Sequence, residues 1–467
     1  MIAGSLQPEA VHATCQPRSR FAYGLTSRAI GLLAAGLLLA LPGFFVSAWG
    51  YGMLAWDGVV LLAALLDGLR LPEPQKIKVE RSWSNAPSLG SETEIELAVR
   101  QSSEIALDCI LIDDLPDALL AKPATYSLHC ISRVRSAMQC KITPRERGDV
   151  RAGALFVRYR SGLGLVERWA KASLEQEVRI YPARRQGEEQ QIFLARGSQI
   201  DVKLRQLRQR GLGRDFESLR EYRPGDDLRD VCWTATARRG QLITRQYQTE
   251  RSQAIWIVLD AGRLLRRRIL AQGASPDELG HSKLDYACST AVALAQLALF
   301  SGDRVGLMVY GQRVQQQVLP GRGAAHLRQI IEALAQATAE ESEADHFRAT
   351  AVLTRLQPNR AMILWVTDLA ESASRPEVVE GAMQLLRRHV LLFVAMGQLD
   401  VERLAQACPQ NVDEMFRGAA AQEPVGRREL QLAELRQMGA LTLDLDPSKV
   451  TAAVLNQYLL VKERAMV

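Results

Sequence analysis

The chain is poor in the residues that build metal clusters and disulfide frameworks. Its 467 residues contain seven cysteines and six histidines. Cys15, Cys109, Cys130, Cys140, Cys232, Cys288 and Cys408 are scattered, odd in number and without a CxxC pair, which argues against both zinc clusters and disulfide scaffolds. They read as small buried hydrophobes in a reducing compartment. No HExxH, GxxxxGK[ST] or GxSxG occurs, so metal-hydrolase, P-loop and serine-hydrolase chemistry has no motif here. Beyond Leu66 no apolar run is long enough to cross a bilayer. A net charge of +6 suits anionic lipid at least as well as nucleic acid. The basic run Lys203 to Arg214 has no aromatics for base stacking, so it reads as a membrane-proximal linker before it reads as a nucleic-acid site.

The long apolar runs that do occur lie near the start. "AIGLLAAGLLLALPGFFVSA" (29–48) has no charge, and "MLAWDGVVLLAALL" continues the pattern to Leu66. Two spans joined by a tight glycine-containing turn predict a transmembrane helical hairpin over 29–69, with Asp57 near the turn. Arg18, Arg20 and Arg28 precede it and Arg70, Lys76, Lys78 and Arg81 follow, so the positive-inside rule puts both ends, including a tail at 1–28, in the cytoplasm. "VSA" at 46–48 also has the form of a signal-peptidase site, whose use would leave one span.

Two soluble regions follow with different periods. Between 75 and 183, short runs such as "TEIELAV" (93–99) and "GALFVRYR" (153–160) alternate apolar and polar residues, which predicts an antiparallel β-sandwich. The Arg147-Gly148-Asp149 tripeptide is expected in one of its hairpin turns. From 252 to 467, continuous apolar strands alternate with amphipathic helices, which predicts a doubly wound α/β domain. "AIWIVLD" ends at Asp260 and "AMILWVTD" at Asp368. Both acids belong at the carboxyl edge of the sheet, where they can cap the next helices or hold Mg²⁺.

The segment between the two regions (184–251) contains "LREYRPGDDLRDVCWTATARRG" (219–240). Pro224-Gly225 predicts a turn, Asp226 or Asp227 a helix cap, and Gly240 a helix stop. Tyr222 and Trp233 are expected to bury, with Arg220, Arg223 and Arg229 paired to the neighbouring acids. Such a stretch serves as an interdomain brace, a docking face for a partner or a reaction site. No suitably placed base supports the last.

This stretch, with "IVLDAGR", "SGDRVGLMVYG", "WVTDLAE" and "RERGDVRAGALFVRYRSGLGLVERW", resembles the DUF58 family. The resemblance implies a bacterial inner-membrane protein with a von Willebrand factor A-like domain, and a MoxR-type AAA+ ATPase as partner. It also implies a metal motif Asp-x-Ser-x-Ser, of which Asp260 matches the first position and Asp368 a later acid. Gly262 and Leu264 replace the serines, Thr350 is the nearest candidate for the threonine, and Arg263 and Arg266 to Arg268 lie close by. The expectation is therefore a membrane-anchored adaptor that needs no cofactor and is not an enzyme. A metal-dependent enzyme using Asp260 and Asp368, and a purely structural membrane protein, are the alternatives.

Overall fold

The computed structural model describes residues 7–18, 22–40, 48–119, 125–183, 215–223, 231–248, 253–269, 280–369, 377–397 and 399–464. The chain divides into two compact units, Met1–Tyr181 and Pro182–Val467. The first is rich in β-sheet and the second is α/β, which makes the protein multidomain.

The first unit opens with three short strands, β1 (Val11–Thr14), β2 (Gln16–Pro17) and β3 (Tyr23–Leu25), and two helices, α1 (Ser27–Ala40) and α2 (Ala48–Arg70). There follow β4 (Ile77–Trp83), β5 (Thr93–Gln101), β6 (Leu107–Asp113), β7 (Thr125–Cys130), β8 (Arg135–Ile142), β9 (Gly148–Ala152), β10 (Leu155–Ser161), β11 (Val166–Ala172) and β12 (Gln176–Ile180). One antiparallel sheet has the order β1-β4-β5-β8 and another β2-β11-β10-β6-β7, with β3 also on β11; β9 pairs with β12. Alternation drives the packing: Ile77, Val79 and Trp83 of β4 and Leu107, Cys109 and Leu111 of β6 point into one shared core. Two inward positions break the apolar rule together. Arg81 and Asp113 are both buried and form an ion pair, and Arg81 also donates to the carbonyls of Leu174 (3.0 Å) and Gly153 (3.1 Å).

Within the segment expected to be a tail, the described strands are paired into the sheets. Val11–Thr14 pairs with β4, while Gln16–Pro17 and Tyr23–Leu25 pair with β11. A cut at 46–48 would strip these strands from the sandwich. Arg81, counted among the basic residues that follow the second span, is a core residue. The Arg147-Gly148-Asp149 tripeptide enters strand β9 and is not a hairpin turn, with Asp149 bound to Arg179 of β12 at 2.6 Å.

Both helix feet rest on the turn between β10 and β11. Thr26 donates through Oγ1 to the Gly164 carbonyl (2.6 Å) and accepts from the Ala29 amide (3.3 Å), which caps α1. Near the end of α2 the buried Asp67 accepts from the Ser161 hydroxyl and from the amides of Leu165 (3.0 Å) and Val166 (3.2 Å). Away from the feet the helices pack on each other, with Trp56 Nε1 donating to the Leu32 carbonyl at 2.9 Å. Among the described residues one helical stretch, Tyr51–Arg70, is long and apolar enough to cross a membrane; α1 has 14 residues. Asp57 is not at the turn. It lies against Gly36, where a Cβ would come within 2.5 Å of its Oδ1.

The second unit begins with β13 (Asp215–Glu221), α3 (Trp233–Arg239) and β14 (Ile243–Gln248). The α/β part comprises β15 (Ala254–Asp260), β16 (Arg268–Ile269), β17 (His281–Ser282), α4 (Lys283–Phe300), β18 (Arg304–Tyr310), β19 (Val314–Gly321), α5 (Gly323–Gln336), α6 (His346–Leu356), β20 (Met362–Thr367), α7 (Glu377–Leu386), β21 (Val390–Met396), α8 (Leu399–Gln406), α9 (Val412–Gln437), β22 (Leu441–Leu445) and α10 (Pro447–Glu463). Its sheet has the order β19-β18-β15-β20-β21-β22, parallel except for β19. Strands β15, β20 and β21 are buried along their whole length, as continuous apolar sequences require. Trp256, Val258, Ile363, Trp365 and Phe393 pack against α6, α7 and α9, while α4 and α10 cover the other face. The strand order reverses between β15 and β20, which puts the ends of these two strands at the switch point of the sheet.

Removing one partner of the Arg81–Asp113 pair leaves a buried charge uncompensated. Arg81→Met is expected to destabilise the first unit by about 3–5 kcal/mol. Denaturant unfolding of the full-length protein checks this, and a loss below about 1 kcal/mol would place the pair in contact with water.

Candidate functional site

Asp260 and Asp368 meet at the switch point, and both are buried. Asp260 accepts from the Gly262 amide through Oδ1 (2.7 Å) and from the Thr367 hydroxyl through Oδ2 (2.6 Å). Asp368 accepts from its neighbour's amide, Leu369 N, at 2.7 Å. Its two oxygens also receive cations from distant elements: Lys283 Nζ at the start of α4 (2.6 Å) and Arg428 Nη1 of α9 (2.5 Å). Lys283 donates further to the Met396 carbonyl (3.2 Å), and Arg428 forks onto Asp444 of β22 (2.7 Å). The side chains of Asp368 and Lys283 are 0% and 1% exposed, so this ion pair is dry.

Burial pushes the Asp260 carboxyl upward, and His346, the Thr367 hydroxyl and the Gly262 amide oppose it without cancelling it. At Asp368 burial acts in the same sense. There Lys283 and Arg428 outweigh it and hold the carboxyl below the usual carboxylate range. The two acids are thus driven apart by their neighbours. Beside them runs a second buried chain, in which Trp365 Nε1 donates to the Tyr310 hydroxyl (2.7 Å) and that hydroxyl meets His346 Nδ1 (2.9 Å).

Several expected roles fall to other residues. Asp260 caps no helix; α4 is capped by Ser282 in a capping box with Asp285, and α6 by Asp345. The Thr350 hydroxyl is turned to its own helix, on the His346 carbonyl (2.8 Å), and Thr367 supplies the hydroxyl at Asp260. Arg263 and Arg266 are engaged at the surface by Glu343 (2.5 Å) and Glu341 (2.7 Å). The cations at the acids are Lys283 and Arg428, which sequence reasoning missed. A lysine opening an otherwise apolar helix was the one available signal. Gly262 has no room for a serine: a Cβ there would meet the Ala344 amide at 2.9 Å. The segment 340–345 lies over this edge, held by Glu340 N to the Ala261 carbonyl (2.7 Å) and Arg263 N to the Ser342 carbonyl (2.8 Å).

The stretch 219–240 is partly described. Asp226, Asp227 and Arg229 lie outside the described residues, as does the run 203–214. α3 ends at Gly240, whose φ of 69° lets its amide reach the Thr236 carbonyl at 2.9 Å. The helix is preceded by Cys232, without a side-chain cap. Strand β14 is tied to this motif through Cys232 N to Ile243 O (2.8 Å), Tyr222 N to Leu242 O (2.9 Å) and Ile243 N to Thr236 Oγ1 (3.0 Å). Val231, Cys232, Ile243 and Thr244 take the buried positions. Trp233, expected in the core, is 67% exposed, with Leu219 and Leu242 exposed as well. Tyr222 and Arg220 are half-buried and Arg223 is exposed.

The opposite shifts at the two acids give opposite pH slopes. Asp368, with its folded pKa lowered, contributes stability that is present above about pH 4 and lost as pH falls through its folded value. Asp260, with its folded pKa raised, contributes stability at low pH that is lost as pH rises through its folded value. Asp368→Asn is therefore expected to cost about 3–5 kcal/mol at neutral pH, with the deficit shrinking in acid. The deficit of Asp260→Asn grows in acid. Denaturant midpoints of both variants between pH 3 and pH 7 check this, and parallel slopes would refute it.

Uncharacterized proteins of Mycobacterium tuberculosis and Mycobacterium bovis are each 26% identical over 181 residues, covering 36% of this chain and 54% of theirs. The chain thus spans about half the length of the curated relatives it matches. Among solved structures, the conserved hypothetical protein BatB from Bacteroides thetaiotaomicron is 15% identical (46% of this chain, 100% of that one, TM-score 0.30). An uncharacterized membrane spanning protein from Vibrio fischeri is 17% identical (39% and 94%, TM-score 0.18). The family described as "Protein of unknown function DUF58" matches residues 218–427, which takes in the stretch 219–240 and the α/β part into α9, and leaves out the β-sandwich.

Proposed function

We propose that this chain is a membrane-anchored adaptor whose second unit, a von Willebrand factor A-like domain, docks a protein partner through the stretch 219–240. The observation that carries this reading is the exposure of Trp233 on a motif otherwise closed by its own hydrogen bonds. A water-exposed tryptophan in one motif with the exposed Leu219, Leu242 and Arg223 has the composition of an interface anchor. The resemblance to DUF58 proteins supplies the partner class, a MoxR-type AAA+ ATPase, which would act in assembly or maturation of other proteins. Binding by this face requires no divalent ion. Both Asp368 oxygens already carry Lys283 and Arg428, and a metal would have to displace a buried ion pair.

The anchor is the α1–α2 hairpin. Strands on both sides of it, β1–β3 and β4–β12, belong to one sandwich. The segment from Thr26 to Leu71 therefore leaves and rejoins the same side of a bilayer, crossing twice or not at all. From Asp67 back to Ala48 an α-helix rises about 29 Å, close to the roughly 30 Å of a hydrocarbon core. Ile30, Leu37 and Leu38 of α1 and Leu54, Val59, Leu62, Leu65 and Leu69 of α2 are exposed, which suits lipid. In this reading both units face the cytoplasm of a bacterial inner membrane, with Arg28 and Arg70 at the feet.

Trp233→Ala is expected to weaken binding of the full-length protein to the purified ATPase at least tenfold, about 1.4 kcal/mol or more, with the unfolding midpoint unchanged. Surface immobilisation with nucleotide-free ATPase reads this out, and wild-type affinity in the variant would sink the docking face. In the same assay, exchange of Mg²⁺ for EDTA is expected to leave affinity unaltered. A tenfold or greater loss in EDTA would return Asp260 and Asp368 to the role of metal ligands.

A further inference from the structure

Asp57 is the one carboxylate in the hairpin above its feet. It lies ten residues before Asp67, hence about 15 Å along the helix from the β10–β11 turn, the mid-depth of a bilayer spanned from that turn. Its Oδ1 is buried against α1 and has no hydrogen-bond partner among the described residues. Gly36 creates this contact by letting α1 approach without a side chain. The neighbouring indole is already committed, since Trp56 Nε1 donates to the Leu32 carbonyl at 2.9 Å. The hairpin cannot supply a cation: no lysine, arginine or histidine occurs between Arg28 and Arg70.

A carboxyl group at this depth is costly unless a donor meets it. A second copy of the hairpin would bring another carboxylate and no positive charge. We infer that Asp57 is a docking point for a transmembrane helix of a different protein that carries a lysine or arginine at mid-bilayer depth. This rests on the two-span reading above and adds to it a membrane-embedded contact independent of Trp233. Charge complementarity selects the partner, and Gly58, which has open space at its Cβ position, lets a third helix come close beside the acid.

The test reconstitutes the full-length protein, labelled in the β-sandwich, into phosphatidylcholine vesicles. Alkaline carbonate washing comes first: release of the protein would overturn the two-span reading and the inference with it. To the retained protein is added a labelled leucine-alanine helix of roughly 23 residues bearing one central lysine, or a central leucine as control. Energy transfer is expected with the lysine helix and not with the control. Asp57→Leu is expected to weaken the association about tenfold, and Asp57→Glu to restore it. Equal transfer to both helices, or equal transfer with wild type and Asp57→Leu, would overturn the inference while leaving the two-span anchor standing. Self-association of the protein that disappears in Asp57→Leu, without a response to the lysine helix, would overturn it in favour of a second copy.

Discussion

A carboxylate withdrawn from water has to be met by donors, and most of this architecture is organised around how its buried acids are met. Asp113 is met by Arg81 across the two sheets of the sandwich. Asp67 is met by two backbone amides and a serine, which seats α2 on the β10–β11 turn. Asp303 is met by Lys462 and Tyr458, which tie α10 to the start of β18. Asp368 is met by Lys283 and Arg428, which draw α4 and α9 to the end of β20. Each pairing joins elements far apart in the chain. Each is worth little against a well-packed apolar alternative and a great deal against the loss of one partner. Their effect is to fix register and orientation.

The same accounting separates the candidate metal site from a working one. A divalent ion at the switch point would need open carboxylate oxygens and hydroxyl ligands on the loop after β15. Glycine and leucine hold those loop positions, and the covering segment 340–345 presses on Gly262. The positive charge is supplied covalently instead, by a lysine ammonium and an arginine fork that cannot dissociate. A site filled this way offers no exchangeable coordination position. In the docking role proposed for this unit, contact comes from surface side chains, and the exposed Trp233 on α3 is the largest described side chain of that kind in the matched stretch.

Much of this was legible in the sequence. Strands β15, β20 and β21 are uninterrupted apolar runs because both faces of a parallel sheet are covered, so periodicity located them and the acids at their ends. Sandwich strands such as Thr93–Gln101 were visible through alternation. The strands Val11–Thr14, Gln16–Pro17 and Tyr23–Leu25 were not, since two to four residues carry no period and their strand state comes from pairing with β4 and β11. Helix α9 was hidden by Pro424 in its interior. Lys283 and Arg428 were invisible as partners of Asp368 because they lie 85 and 60 residues away from it. Trp233 was expected in the core as a large flat side chain, but the buried positions of this motif are Val231, Cys232 and Ile243, and the indole is exposed.

Asp57, half-buried with its Oδ1 enclosed against α1, stands apart from these buried acids because its height above the β10–β11 turn is set by elements that lie outside the hairpin. Thr26 and Asp67 hold both helices to one turn of the sandwich, so the distance from that turn to Asp57 is a helical rise and not a matter of lateral drift. A partner helix that meets this acid must carry its cation at the same height above the sandwich. A hairpin that served only as an anchor would gain by replacing Asp57 with leucine, since among the described residues none donates to its Oδ1 and the hairpin sequence holds no cation. Its presence against Gly36, in a chain that has matched Asp113, Asp67, Asp303 and Asp368 from within, is the argument that its donor comes from elsewhere.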